Sequence, residues 1–409
     1  MKILLATSTI TPLAGISAFN RELCNVLSKK NIVHLMCYEN IKEYVNCEKT
    51  IPLPYYSLNR ISDVVKLLDI IRAERYDIII NSNSKIIAIL SPYLNDDTKI
   101  ISISHSLRYT ESDVSAFNAP YIDGIVALSY YNKEYLKKKF SIKEDKIKVI
   151  YNFVTPYEDS DAIRSRKKKE DKINIVYAGG TASSKSPELV IKVLNKLLET
   201  DLNFTFYFLG VKSPPLKSIQ PFKSINSIVT PDERVIMPGK VPSNQAREII
   251  ANANIFFAPS RREGCPMALL EALRVGTIPI VADYKIANRE LIEDGISGFI
   301  IDHKNISLFV NRIEDIIRNP SKYKSVYDNS YKLFTEKLTY DVWYEGINNF
   351  LKDDRPKHKK RLPGFSSIRY RFYNIKFCSM DFLNKLHLFF HESLPAALPI
   401  MMMYIKGRK

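Results

Sequence analysis

Residues 258–276 read Ala258-Pro-Ser-Arg-Arg-Glu-Gly-Cys-Pro-Met-Ala-Leu-Leu-Glu-Ala-Leu-Arg-Val-Gly276. The apolar Ile255-Phe-Phe-Ala258 reads as a buried strand, Pro259 to Cys265 as a polar loop, and Pro266 to Val275 as a helix. Pro266 suits a first helical turn, where a missing N–H costs nothing, and Gly276 suits the stop. The amides of Met267 and Ala268 then face the loop with the positive end of the helix dipole behind them, which makes an anion site. Glu263 lies in the loop and Glu271 about one and a half turns up the helix. The two carboxylates therefore bracket whatever the helix start holds. A diphosphate needing N–H donors, with hydroxyls on both flanks needing carboxylate acceptors, fits that arrangement, and a nucleotide sugar is such a ligand.

Two glutamates eight residues apart are by themselves commonplace solvated charges, but their setting is specific. The order Pro259-Ser-x-x-Glu263-Gly-x-Pro266-x-x-Leu-Leu-Glu271-Ala is followed by Gly276-Thr-Ile-Pro-Ile-Val-Ala282 and by Glu290-Leu-Ile-Glu-Asp-Gly-Ile-Ser-Gly-Phe299. This ordered set resembles glycosyltransferase family 4, the group 1 type. The resemblance implies two Rossmann-like, doubly wound α/β domains facing a cleft, the GT-B architecture. It also implies metal-independent transfer of a sugar from a nucleotide donor with retention of configuration, and no cofactor besides that donor. It covers roughly residues 1–352, closely in the second half and loosely in the first.

Composition agrees with a soluble two-domain protein. The chain has 409 residues, 45% hydrophobic and 25% charged. Five scattered cysteines, odd in number and without metal-type spacing, suit reduced thiols in a cytosolic protein. The opening Met-Lys-Ile-Leu-Leu-Ala-Thr-Ser-Thr has too short an apolar core for a signal peptide, and no apolar run is long enough to cross a bilayer. The net charge of +16 points to an anionic partner. Residues 352–409 carry 13 Lys/Arg against 4 Asp/Glu, so this tail supplies +9 of that total.

The first domain is assigned to residues 1–154, on the acceptor side. Lys2–Ala6 reads as a strand, Thr7–Gly15 as a loop, and the next stretch as a helix with Ile16, Phe19, Leu23 and Leu27 at helical spacing. No G-x-G-x-x-G follows the strand, which argues against a dinucleotide dehydrogenase. Family members carry a glycine-rich, donor-approaching loop here; Gly15 either keeps that contact or simply starts the helix. Further strands are legible at Ile32–Cys37, Asp77–Asn81, Lys99–Ser104, Gly124–Leu128 and Ile147–Tyr151. His105, directly after one of them, matches a family histidine that reaches the transferred sugar; an ordinary loop histidine is the alternative. Lys148-Val-Ile-Tyr-Asn-Phe-Val154 resembles the family's junction between domains.

Residues 155–172, with Arg164-Ser-Arg-Lys-Lys-Lys169, read as a polar linker, and 173–335 as the nucleotide-sugar domain. Its first loop is Gly179-Gly-Thr-Ala-Ser-Ser-Lys-Ser186, against a family pattern Gly-Arg-x-x-x-x-Lys-Gly whose Arg and Lys neutralise the diphosphate. Lys185 matches the lysine, but Gly180 stands where the arginine belongs. Arg261 or Arg262 would restore the charge if either reaches the donor; both are otherwise surface arginines. By the resemblance, Glu263 bonds hydroxyls of the transferred sugar, Glu271 those of the ribose, and Cys265 lies among the donor-facing residues. Residues 336–352 match the closing helix that returns to the first domain.

Residues 353–409 lie outside the family pattern. Arg369, Arg371 and Lys376 interleave with Tyr370, Phe372, Tyr373 and Phe377, and Phe382, Leu383, Leu386, Phe389 and Phe390 form one helical face. The reading is an anionic-membrane contact on the inner face of the cell membrane, where a glycan or lipid-linked acceptor is found; packing on the protein or a second subunit is the alternative. Nucleic acid is not expected. Abundant Lys, Ile, Asn and Tyr suggest an AT-rich genome, hence a bacterium building surface polysaccharide. An epimerase on the same fold, or a non-catalytic subunit of a transferase, would share these features.

Overall fold

A computed structural model of the chain describes residues 1–8, 10, 15–37, 45, 47–53, 61–105, 114–167, 172–210, 232–284 and 287–352. Short β-branched runs such as Ile78-Ile-Ile and Lys99-Ile-Ile-Ser-Ile are hydrophobic without alternation, which suits strands covered on both faces. They build a seven-stranded sheet from β1 (Lys2–Thr7), β2 (Ile32–Cys37), β3 (Lys49–Pro52), β4 (Ile78–Ser82), β5 (Lys99–Ser104), β6 (Gly124–Ala127) and β7 (Ile147–Val149). The order is β3-β2-β1-β4-β5-β6-β7, and every pairing is parallel. The edge strand β3 is absent from the sequence reading. Its Lys-Thr-Ile-Pro is short, polar at one end and ends in a proline, a composition that signals a strand only once a neighbour is in place.

A second parallel sheet has six strands: β8 (Ile173–Ala178), β9 (Phe204–Leu209), β10 (Val235–Gly239), β11 (Ile255–Ala258), β12 (Ile278–Asp283) and β13 (Phe299–Asp302). Its order is β10-β9-β8-β11-β12-β13. In both sheets the order of strands reverses beside the first strand, between β1 and β4 and between β8 and β11. A crevice opens at such switch points, at the carboxyl ends of the strands.

The helix α1 (Gly15–Leu27) buries Phe19, Leu23 and Leu27 as its spacing predicts, and leaves Ile16 half-exposed at its start. A helix at Tyr340–Lys352 returns to the first domain. Its Trp343 is buried, with ring centroids 5.3 Å from Phe153 and 6.2 Å from Phe19. Phe350 packs on Gly124, where a Cβ would sit 2.0 Å from the ring. One apolar core thus runs from Ile3 and Leu5 through Trp343 to Phe256 and Leu269.

Two sequence expectations are corrected. The linker is not simply a solvated segment: Ser160–Lys167 is a helix. Lys167 is 4% exposed and donates to Thr277 Oγ1 at 2.6 Å, while Arg164 pairs with Asp328 at 2.7 Å and lies over the Tyr331 ring. The stems of these side chains cover apolar surface and their charges find partners, so Arg164 and Lys167 pack. The helix read as Pro266–Val275 spans Met267–Leu273. Pro266 has extended backbone (ψ 120) and stands ahead of the first turn, while Gly276 makes the stop at φ +66. Residues 353–409, the expected membrane tail, lie outside the described residues.

Candidate functional site

Because β8 and β11 are neighbours (Ile175 opposite Ile255), the loops that follow them leave the same sheet edge. The Arg261 amide donates to the Ser184 carbonyl at 2.8 Å and joins the two loops. Lys185 and Glu263, 78 positions apart, form an ion pair there. A cleft of about 680 Å³ opens above them, within the range of a ligand pocket. Its far wall comes from the first domain: Gly15, Ile16 and His105. Asn152 donates across the cleft to the Cys265 carbonyl at 2.8 Å and fixes the loop that carries Glu263.

Most of the residues named from sequence meet here. Glu263, Glu271, Lys185, Cys265, Met267, Ala268, Gly15, His105 and Arg262 all line the cleft. The amides of Met267 and Ala268, at a helix start, have no intrahelical acceptor and remain available to an anion. Burial pushes the Cys265 thiol up to about 12, so it stays neutral and contributes shape and its carbonyl rather than charge. Arg261 is placed differently from the donor contact expected of it: its guanidinium reaches Glu188 on the outer side of the loop. Arg262 alone of that pair is a cleft residue.

Gly180 is more than a missing arginine. Its φ is +58, and a Cβ built on Gly210 would lie 2.8 Å from the Gly180 Cα, so two backbones pack directly at the cleft floor. A side chain at either position meets left-handed backbone, and at Gly210 also a clash. At Gly180 the obstacle to an arginine is the left-handed backbone, since a Cβ there would meet only ordinary contacts, the nearest at 3.6 Å.

Glu271 is buried. Burial pushes its carboxyl above the usual range, while Arg247 and Arg274 pull it part of the way back. Arg247 donates from Nε to Glu271 Oε1 at 3.1 Å, and it lines the cleft. The sequence reading does not single it out. It sits one position after Ala246 and three before the buried Ile250 on the helix Ser243–Asn252, and no spacing links it to a glutamate 24 positions on.

His105 is held by a chain of hydrogen bonds that fixes its tautomer. Asn20 Nδ2 donates to Thr7 Oγ1 at 2.8 Å, so Asn20 Oδ1 is the acceptor for Ser82 Oγ at 2.6 Å. The single hydroxyl hydrogen of Ser82 is thereby committed. His105 Nε2, 2.6 Å from the same oxygen, must donate, which leaves Nδ1 as an acceptor. Burial pulls the ring down to about 3 from an ordinary 6.5, in keeping with a neutral imidazole. Between those values the unfolded chain binds a proton that the fold does not. Stability is therefore intact above the unfolded value and falls as pH drops, by roughly 2 kcal/mol at pH 5. Urea midpoints for the parent and His105→Gln should converge as pH falls from 7 to 5; parallel curves would mean that His105 is not the titrating group.

The described chain matches two family models in tandem. Residues 14–157 match Glycosyltransferase Family 4, and residues 159–333 match Glycosyl transferases group 1. An uncharacterized glycosyltransferase of Methanocaldococcus jannaschii is 22% identical over 74% of this chain and 83% of its own length. The UDP-Gal:alpha-D-GlcNAc-diphosphoundecaprenol alpha-1,3-galactosyltransferase of Escherichia coli is 21% identical over 76% of this chain and 87% of its own. Among solved structures, Anabaena HepE in complex with UDP and glucose superposes with a TM-score of 0.66 at 16% identity, over 86% of this chain and 99% of that one. The two sheets and their order are those of the GT-B arrangement.

Proposed function

Since the chain belongs to the group 1 glycosyl transferases, with a first half of the Glycosyltransferase Family 4 type, we propose that it moves a sugar from a nucleotide-sugar donor to a glycan or lipid-linked acceptor, with retention of configuration and without a metal. One observation carries this reading: Lys185 and Glu263 meet at a helix start, with Glu271 buried along the same helix, opposite a neutral His105. In this reading Lys185 exchanges one anion, Glu263, for another, the donor diphosphate. As the bond from sugar to phosphate breaks, charge develops on the departing phosphate oxygen, and Lys185 with the Met267 and Ala268 amides opposes it. The acceptor hydroxyl attacks from the same face and passes its proton to that oxygen. Glu263 then faces the positive charge that grows on the sugar ring. His105 Nδ1 accepts from a sugar hydroxyl, and Glu271 from the ribose.

The test is product analysis with a panel of nucleotide sugars, with and without acceptor. A transferase releases nucleoside diphosphate and an α-configured product from an α-configured donor only when acceptor is present. An epimerase changes the donor without acceptor, and a non-catalytic subunit binds donor without turnover.

The acceptor reading extends to bacterial surface polysaccharide synthesis at the inner face of the cell membrane. The E. coli relative acts, by its name, on a diphosphoundecaprenol-linked sugar. Among the described residues no helix is long and apolar enough to cross a membrane. The support for a surface contact is the tail sequence, whose basic residues contribute ~1 kcal/mol each near an anionic surface and whose apolar face adds to that. Flotation with anionic vesicles should carry the full chain but not one ending at Leu351, and salt should weaken the full chain's binding without abolishing it. Equal flotation of both forms, or of neither, removes the tail as the contact.

A further inference from the structure

Arg247 does more than neutralise Glu271. Its Nε donates to Glu271 Oε1 and its Nη2 to Glu22 Oε1, each at 3.1 Å. Glu22 belongs to α1 of the first domain and also accepts from Thr155 Oγ1, in the segment where the chain crosses between domains. One planar guanidinium therefore joins a carboxylate of the second domain to one of the first, in a geometry a flexible ammonium cannot reproduce. Its side chain is about a quarter exposed, against 16% for Glu22 and 11% for Glu271, so the array is largely withdrawn from solvent. Glu22 stands behind the cleft wall, whereas Arg247 and Glu271 line it.

We propose that Arg247 is a positioning residue that couples seating of the donor's ribose to the docking of the two domains. It holds Glu271 charged and oriented, and it transmits that state to Glu22. The inference rests on the reading that Glu271 receives the ribose. When ribose hydroxyls donate to Glu271, they share its oxygens with Arg247, whose other face stays on Glu22; the nucleotide thus strengthens a bridge that already spans the cleft. Other titratable groups facing Glu271 are Arg274 beyond the end of its own helix, Glu22 and Arg21 on α1, and Tyr157. Arg274 is anchored elsewhere, donating to the Thr155 carbonyl at 2.8 Å and lying over the Tyr157 ring at 3.6 Å. Arg21 donates to the Ile10 carbonyl at 3.1 Å. Arg247 is hydrogen-bonded to both carboxylates.

The experiment measures UDP affinity, with GDP and ADP as alternative probes, across pH 5–8 for the full chain. The variants are Arg247→Met, Arg247→Lys, Glu22→Gln, the double Arg247→Met/Glu22→Gln, and Glu271→Gln. Hydrogen exchange along α1, with and without nucleotide, is followed in parallel. Arg247→Met should weaken binding about ten-fold and move the acid limb of the pH profile upward by about one unit, because Glu271 loses its partner. Arg247→Lys should bring the acid limb back toward the parental one. Glu22→Gln should weaken binding several-fold in the parent but not in the Arg247→Met background, and should speed exchange at the start of α1 even without nucleotide. Additive losses in the double variant, an unmoved acid limb in Arg247→Met, or unchanged exchange in Glu22→Gln would overturn the coupling. If Glu271→Gln binds nucleotide as the parent does, the ribose reading has failed instead, and the exchange data show whether the bridge alone survives.

Discussion

Glu263→Gln should lower turnover on the order of 100-fold or more while leaving nucleoside diphosphate affinity equal to or tighter than the parent's. The substitution keeps the size of the side chain but removes its charge. In the proposed mechanism that charge faces the sugar ring, where positive charge grows as the phosphate departs, so its loss should be felt in the transition state more than in the ground state. The tighter binding follows from the ion pair with Lys185. Without Glu263 as a partner, Lys185 no longer has to exchange one anion for another when the diphosphate arrives. Glu271→Gln should show the opposite split: donor binding weaker by ~1.5–3 kcal/mol, one charge-assisted hydrogen bond, with turnover at saturation less affected. Steady-state kinetics on a matched donor and acceptor, with calorimetry for the nucleotide, separates the two. If both variants keep parental kinetics, the site is assigned wrongly.

Lys185→Met should cost diphosphate binding ~1.5–3 kcal/mol, while the affinity of the bare nucleoside stays nearly constant. If the donor diphosphate binds as proposed, Lys185 and the amides of Met267 and Ala268 carry most of the neutralisation with Gly180 in place of an arginine, so this loss should exceed that of either neighbouring arginine. Arg262→Met, in the cleft lining, should give a smaller loss of the same kind. Arg261→Met should leave binding unchanged, because its guanidinium is engaged by Glu188 outside the cleft. Gly180→Arg should fail to restore affinity to Lys185→Met, since the left-handed backbone at φ +58 disfavours a side chain there. Equal losses for nucleoside and diphosphate in Lys185→Met would point to disruption of the loop rather than to a missing charge.

The parts legible in the sequence are those set by local chemistry. Ile255–Ala258 forms the strand read from its apolar run, Gly276 stops the helix at positive φ, and Phe19, Leu23 and Leu27 are buried at their helical spacing. Pro266 shows the limit of such rules: a proline accepted by a first turn is equally accepted one position earlier, and here extended backbone prevails. The packing of the helix within the linker is hidden from sequence for a related reason. A run of arginines and lysines reads as solvated, yet the stems of Arg164 and Lys167 bury where Thr277, Asp328 and Tyr331 stand nearby.

Sequence alone determined that two parallel α/β units exist, with Glu263 in a loop and Glu271 on the helix after it, because hydrophobic periodicity and loop chemistry are properties of neighbours along the chain; the family resemblance marked Lys185 and His105. Only the tertiary structure decided which of those groups touch. The strand order set β8 beside β11 and so joined Lys185 to Glu263. The packing of α1 against the second domain brought Glu22 to Arg247, and the outward turn of Arg261 left Arg262 in the cleft. An ion pair between residues 225 positions apart, as Arg247 and Glu22 are, leaves no local trace, since it depends on the orientation of one domain on the other and on which charges that burial forces together.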